Sequence, residues 1–124
     1  MLSYFKKQFH SFGYAFKGLR IMLRDYNVFI HIPASILALL LSFAFQINLL
    51  EWISILSAIC FVWVTEILNT ALEKLVDLVS PDRNKLAGQI KDLAASAVLI
   101  ATIYAILVGI IIFGRRIQEF ILLY

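Results

Sequence analysis

The chain has 124 residues, the length of one domain, and 62% of them are hydrophobic against 15% charged. That balance excludes an ordinary soluble globular domain. The net charge of +3 lies beside apolar runs and forms no separate basic face, which argues against nucleic-acid binding.

Residues 1–25 place Leu2, Phe5, Phe9, Phe12, Phe16 and Leu19 at helical spacing, with Lys6, Lys7, Lys17 and Arg20 largely on other faces. The pattern predicts an amphipathic helix lying in the membrane surface. It lacks a short apolar run followed by a small-residue cleavage site, so no cleavable signal peptide is expected. Asp25, Tyr26 and Asn27 mark the start of the first apolar span, with His31 and Pro33 in its first turns. Pro33 is tolerated near a helix start. A lone histidine at this depth reads as an interfacial side chain rather than a ligand.

Residues 26–50 and 93–114 contain no Asp, Glu, Lys or Arg, and each run exceeds the roughly 20 residues a helix needs to cross a bilayer. A shorter uncharged run, residues 52–65, becomes long enough when joined to Leu49, Leu50 and the turns that follow. An all-α membrane protein with a surface helix and three transmembrane helices is expected. The spans are residues 28–47, 49–79 with a polar cytoplasmic extension, and 92–113, with a loop at 80–91 and a tail at 114–124. Gln46, Asn48 and Glu51 form a very short outer connection, and Trp52 sits where an interfacial aromatic belongs. The lone Cys60, inside the second span, reads as a small apolar filler.

Nine basic residues flank the first span or lie between the second and third: Lys6, Lys7, Lys17, Arg20, Arg24, Lys74, Arg83, Lys85 and Lys91. Only Arg115 and Arg116 lie on the other side. The imbalance puts the N-terminus and the polar loop in the cytoplasm.

The polar chemistry gathers between Glu66 and Asp92. Residues 66–79 have no Gly or Pro and read as helix, so Glu66, Asn69, Glu73 and Asp77 recur along one face. Three like charges on one face repel one another and call for a counterweight, of which a divalent cation is the obvious one. Glu66 lies about 24 Å along the axis from Leu50, close to the cytoplasmic boundary of a hydrocarbon core roughly 30 Å thick. A carboxylate there meets a lipid head group from one side and a soluble nucleotide from the other, whereas one at the midplane would suggest an ion path. Ser80, Pro81 and Asp82 stop the helix. Gly88 reads as a second break, and Ala94, Ala95, Ser96 and Ala97 make the next span narrow enough for close packing.

The signature Glu66-x-x-Asn69-x-x-x-Glu73-x-x-x-Asp77, followed by Ala87-Gly88 and Lys91-Asp92, resembles that of the small bacterial integral-membrane lipid kinases, which comprise diacylglycerol kinase and undecaprenol kinase. Ala15-Phe16-Lys17-Gly18 and Asn27-x-x-x-His31 are similar to the undecaprenol-kinase branch, and the likeness runs from about Phe9 to Phe113. The resemblance implies transfer of the γ-phosphate of ATP to a membrane lipid alcohol, with undecaprenol favoured and diacylglycerol the alternative. It implies Glu66 as the catalytic carboxylate at the lipid hydroxyl, with Asn69 beside it, and Glu73 as a Mg2+ ligand. Asp25 stands where the family has a second glutamate ligand; it is still an oxygen donor but one methylene shorter. Tyr14, Lys17, Asp25, Glu73, Asp77, Asp82, Asn84, Lys91 and Asp92 match positions around the nucleotide. The family fold further implies a homotrimer with shared sites in the bacterial inner membrane.

Phosphoryl transfer needs positioning, a metal, nearby cations and a group to orient the nucleophile, and this face supplies those residue types. Neither a Gly-x-x-x-x-Gly-Lys-Ser/Thr loop nor a kinase Gly-rich loop is present, which excludes a conventional soluble kinase. Two other readings of the same residues are a polar seam joining helices in a non-enzymatic subunit, and a cation-conducting subunit. Residues 118–124 extend past the usual end of the family and have no assigned role.

Overall fold

Long apolar runs with few breakers leave the chain little choice but helix, and the described residues of the computed structural model form four: α1 Leu2–Met22, α2 Val28–Ala44, α3 Leu49–Val79 and α4 Lys85–Leu122. The structure describes residues 1–25 and 28–123, without the side chains of residues 2–5 and 9. No strand occurs among the described residues. Tyr26 and Asn27, read as the start of the first span, lie outside the described residues, as do the side chains of Leu2, Phe5 and Phe9 on which the amphipathic pattern partly rests.

Two short turns set the topology. After α2 the chain reverses through Gln46, whose φ of 47° is left-handed, and Asn48 then starts α3. Asn48 Oδ1 accepts from the Glu51 amide at 3.0 Å while Glu51 Oε2 accepts from the Asn48 amide at 2.9 Å, a reciprocal pair that satisfies two amides otherwise unpaired at a helix start. At the other end of α3 the Ser80 amide closes on the Val76 carbonyl at 2.8 Å, and Pro81 cannot continue the helix. Asn84 opens α4, its Oδ1 accepting from the Leu86 amide at 2.8 Å. α2, α3 and α4 therefore run up, down and up, with α4 packed along α3 and α2 touching α3 less extensively.

Buried Ile47, Ile55 and Ile112 form a small core at the α2–α3 turn, joined by Phe45, Trp52 and Phe113. Most other large apolar side chains face outward. Exposed aliphatic surface on this scale suits contact with lipid or another subunit. α3 and α4 are long and apolar enough to cross a membrane; α2 is apolar but has 17 residues. α1 anchors through Met22 at its C-terminal end, and its described side chains from Lys6 to Ile21 are exposed.

Three boundaries differ from the sequence reading. The connection read as residues 80–91 is confined to residues 80–84, because Asn84 caps α4 at once. Gly88, read as a break, lies inside α4 and donates its amide to the Asn84 carbonyl at 3.0 Å; one helical glycine costs only about 1 kcal/mol relative to alanine. The tail continues α4 to Leu122, where Arg115 pairs with Glu119 one turn on at 3.0 Å.

Candidate active site

Glu66 lies in the middle of α3 and is 2% exposed, the most deeply placed acid of the chain. It faces α2, where His31 Nε2 stands 3.6 Å from Glu66 Oε2. One turn away, Trp63 Nε1 donates to Ser35 Oγ at 3.0 Å, so the two helices are tied at successive levels. Below His31 an apolar groove of about 200 Å3 runs between α2, α3 and α4, lined by small residues that include Ala34, Ala38, Ala58 and Gly109.

Asn69, one turn after Glu66, is 4% exposed; its Nδ2 donates to Glu73 Oε1 at 3.3 Å, and its Oδ1 is buried without a hydrogen-bond partner. A buried acceptor left unpaired in this way is uncommon and marks a position with work to do. Asn69 also lines a hollow of about 330 Å3 between α3 and α4, with Thr65, Ala94 and Ala97.

Beyond Glu73 the helix emerges toward the α3–α4 turn. Lys91 Nζ reaches Asp77 Oδ1 at 2.6 Å. Asp77, Asp82, Asn84 and Lys91 all line one cavity of about 440 Å3, together with Arg83 and Lys85. Cations, carboxylates and the first amides of α4 converge there, a setting suited to a polyphosphate. Four of the positions matched to the nucleotide thus meet within one chain. Asp92 is exposed and does not line this cavity. Tyr14 and Lys17 do not line it either; Lys17 Nζ instead lies 5.5 Å from the centre of the Tyr14 ring, and Lys17 shares a separate surface hollow with Arg20 and Arg24.

The described residues contain no group of three or more His, Cys, Asp or Glu placed to hold a metal. Mg2+ at a phosphate site needs only one or two carboxylates, the phosphates and water supplying the rest. Asn69 engages one oxygen of half-buried Glu73 and leaves the other for a ligand, which fits such a role; Asp25 is half-buried at the end of α1.

The profile of prokaryotic diacylglycerol kinase matches residues 13–113, which include every candidate site residue from Tyr14 to Asp92. The chain belongs to the prokaryotic diacylglycerol kinase family. Among its relatives, the undecaprenol kinase of Bacillus subtilis is 33% identical over 106 residues, covering 85% of this chain and 86% of the relative. The diacylglycerol kinase of Escherichia coli is 31% identical over 96 residues, or 77% of this chain and 79% of the relative. That of Synechocystis is 53% identical over 51 residues, 40% of this chain and 29% of the relative. In this chain the helical extension after residue 113 lies outside the matched region. Family and apolar helices together make the chain a membrane protein.

The sequence reads His31 as an interfacial side chain, because its partner is 35 residues away. The signal was nonetheless present: His31 is 17 residues before Asn48 and Glu66 is 18 after it, so a tight turn at Asn48 brings them level on antiparallel helices.

Proposed function

We propose that this protein phosphorylates undecaprenol at the expense of ATP. Membership of the family makes it a membrane lipid kinase with ATP as co-substrate. The observation that carries the residue assignment is the buried pair Glu66 and Asn69, placed between an apolar groove on one side and the polar cavity at the α3–α4 turn on the other.

In this reading the lipid chain lies in the apolar groove and its hydroxyl reaches Glu66. Glu66 takes the hydroxyl proton as the oxygen attacks the γ-phosphorus; the bond to the β–γ bridging oxygen breaks and ADP leaves. The unpaired Asn69 Oδ1 orients the reacting group. Glu73 and Asp25 hold Mg2+, which when bound neutralises phosphate charge. Asp77, Asp82, Asn84, Lys91 and Asp92 hold the nucleotide, with Tyr14 and Lys17 approaching from the surface helix. The separation of Tyr14 and Lys17 from the turn cavity, and the wide apolar exterior of the helices, support a homotrimer whose sites draw on neighbouring subunits.

In the membrane the single domain has residues 1–25 on the surface and spans at 28–47, 49–79 and 92–113, with the connection at 80–84 and the first turns of α4 on the cytoplasmic side and the end of α4 projecting on the other. The distribution of basic residues supports a cytoplasmic N-terminus and site, in the inner membrane that the family resemblance implies. α2 is about 26 Å long at 1.5 Å per residue, a few ångströms short of the roughly 30 Å hydrocarbon core, a mismatch that local thinning of the bilayer accommodates.

Diacylglycerol is the second reading, favoured by the Escherichia coli relative. The test is ATP- and Mg2+-dependent phosphorylation of the two lipids side by side in mixed micelles, with Glu66→Gln as control. Undecaprenyl phosphate formed by the wild type and reduced to a small residual rate with the variant supports the proposal. Preference for diacylglycerol replaces the substrate, and no turnover of either lipid by folded, trimeric protein overturns the kinase reading.

A further inference from the structure

A carboxylate as buried as Glu66 takes its orientation from the groups packed against it. Its neighbour His31 is itself mostly covered, with 16% of its side chain exposed, and its Nε2 stands 3.6 Å from Glu66 Oε2. Imidazole bearing a proton on Nε2 is a donor in both its neutral and charged forms, and its approach to Oε2 is the contact on which the pair rests.

The backbone that carries His31 is itself held. Ser35 Oγ donates to the His31 carbonyl at 2.7 Å and accepts from Trp63 Nε1 at 3.0 Å. Ser35 is one turn after His31 and Trp63 one turn before Glu66, so the two helix-to-helix contacts are in register. Trp63 thereby fixes through Ser35 the turn from which His31 reaches Glu66. A side chain braced on this scale is suited to orienting a reactive group, because tightly held supporting residues are what keep a site in productive geometry.

We propose that His31 is a positioning residue for Glu66: its Nε2–H faces Oε2 and sets the orientation in which the carboxylate meets the lipid hydroxyl. The role rests on the lipid-kinase reading. His31 takes no proton from substrate; the hydroxyl proton goes to Glu66, and His31 keeps the accepting oxygen in place.

The test combines kinetics with a readout that does not need activity. A hydrogen bond to a charged group is worth a factor of roughly ten to a hundred, so His31→Ala lowers kcat by about that factor while KM for ATP is unchanged. His31→Gln, which keeps an N–H donor, restores part of the rate. In the residual activity of Glu66→Gln, adding His31→Ala costs nothing more, since residues acting as one unit are not additive. In protein labelled with 15N-histidine, Glu66→Gln shifts the His31 ring resonances and leaves those of exposed His10 in place. Equal losses in both backgrounds, an effect confined to KM for the lipid, or ring resonances of His31 indifferent to Glu66→Gln would each overturn the proposal. Should the wild type turn over neither lipid, the kinase reading falls; the ring resonances, which require no His31 variant to fold, then decide the His31–Glu66 pair alone.

Discussion

Lys91 on α4 reaches back across the α3–α4 turn to Asp77 on α3, its Nζ 2.6 Å from Oδ1 although 14 residues separate them. Both side chains are open to solvent, 38% and 66% exposed, so the pair contributes at most about 1 kcal/mol to stability. Its position on the rim of the turn cavity gives it a different use. An ammonium held by one exposed carboxylate is ready to exchange that partner for a phosphate.

Lys91→Ala is therefore expected to raise KM for ATP by about tenfold, the worth of one charge-assisted hydrogen bond. The lipid KM and the thermal midpoint should barely move. Steady-state kinetics against each substrate, together with a thermal melt, check this; a large fall in melting temperature with unchanged ATP dependence would make the pair structural instead.

Asn69 predicts the opposite separation of stability from activity. Removing its side chain loses the 3.3 Å bond to Glu73, worth about 1 kcal/mol, but also removes a buried acceptor whose unpaired state costs about 1–3 kcal/mol. The two nearly cancel, so Asn69→Leu should leave the folded enzyme without substrate as stable as the wild type or slightly more so. In the proposed reading Asn69 orients the reacting group, so turnover should fall by at least about tenfold. Denaturation in micelles alongside the kinase assay separates the two effects.

The polar face of α3 was legible from spacing alone: Glu66, Asn69 and Glu73 are one turn apart, and a helix without Gly or Pro keeps them together. Gly88 misled because a breaker weighs little against a good cap, and Asn84 supplies that cap immediately before α4. His31 was legible only to someone who fixed the α2–α3 turn first, since helical periodicity reports neighbours on one helix and says nothing of the facing one. Arg115 and Arg116 count in the sequence only as basic residues of the outer side, and their pairing with Glu119 follows from the continuation of α4 that spaces them.

Arg116 also has a role far from the chemistry. Its Nη2 meets Glu51 Oε2 at 2.5 Å, joining the start of α3 to the end of α4, and Glu51 is at the same time the carboxylate that caps Asn48. Glu51→Ala breaks both contacts at once, whereas Arg116→Ala breaks the pair and leaves the cap. Both substitutions should lower the melting temperature, Glu51→Ala more, and neither should change kcat by more than about twofold, as expected for sites well separated from the reaction. Asn48→Ala isolates the cap and should cost about 1 kcal/mol. A kcat loss comparable with that of Glu66→Gln in any of the three would show that the α2–α3 turn takes part in catalysis.

Asp25 offers a sharper test of the metal assignment, because here the chain departs from the residue its family resemblance implies. A carboxylate one methylene shorter reaches less far toward an ion shared with Glu73, and Mg2+ tolerates little deviation from octahedral geometry at about 2.0–2.1 Å. If the two acids act on one ion, Asp25→Glu should lower the Mg2+ concentration for half-maximal rate by about threefold or more. Asp25→Asn should raise it, and Glu73→Gln should abolish turnover at any accessible Mg2+. A Mg2+ titration of the wild type and these variants at saturating ATP checks the set, with EDTA defining zero. An unchanged half-saturation in Asp25→Asn would remove Asp25 from the metal site. The half-buried acid at the end of α1 would then be a means of holding the surface helix against the bundle, where Met22 already anchors it.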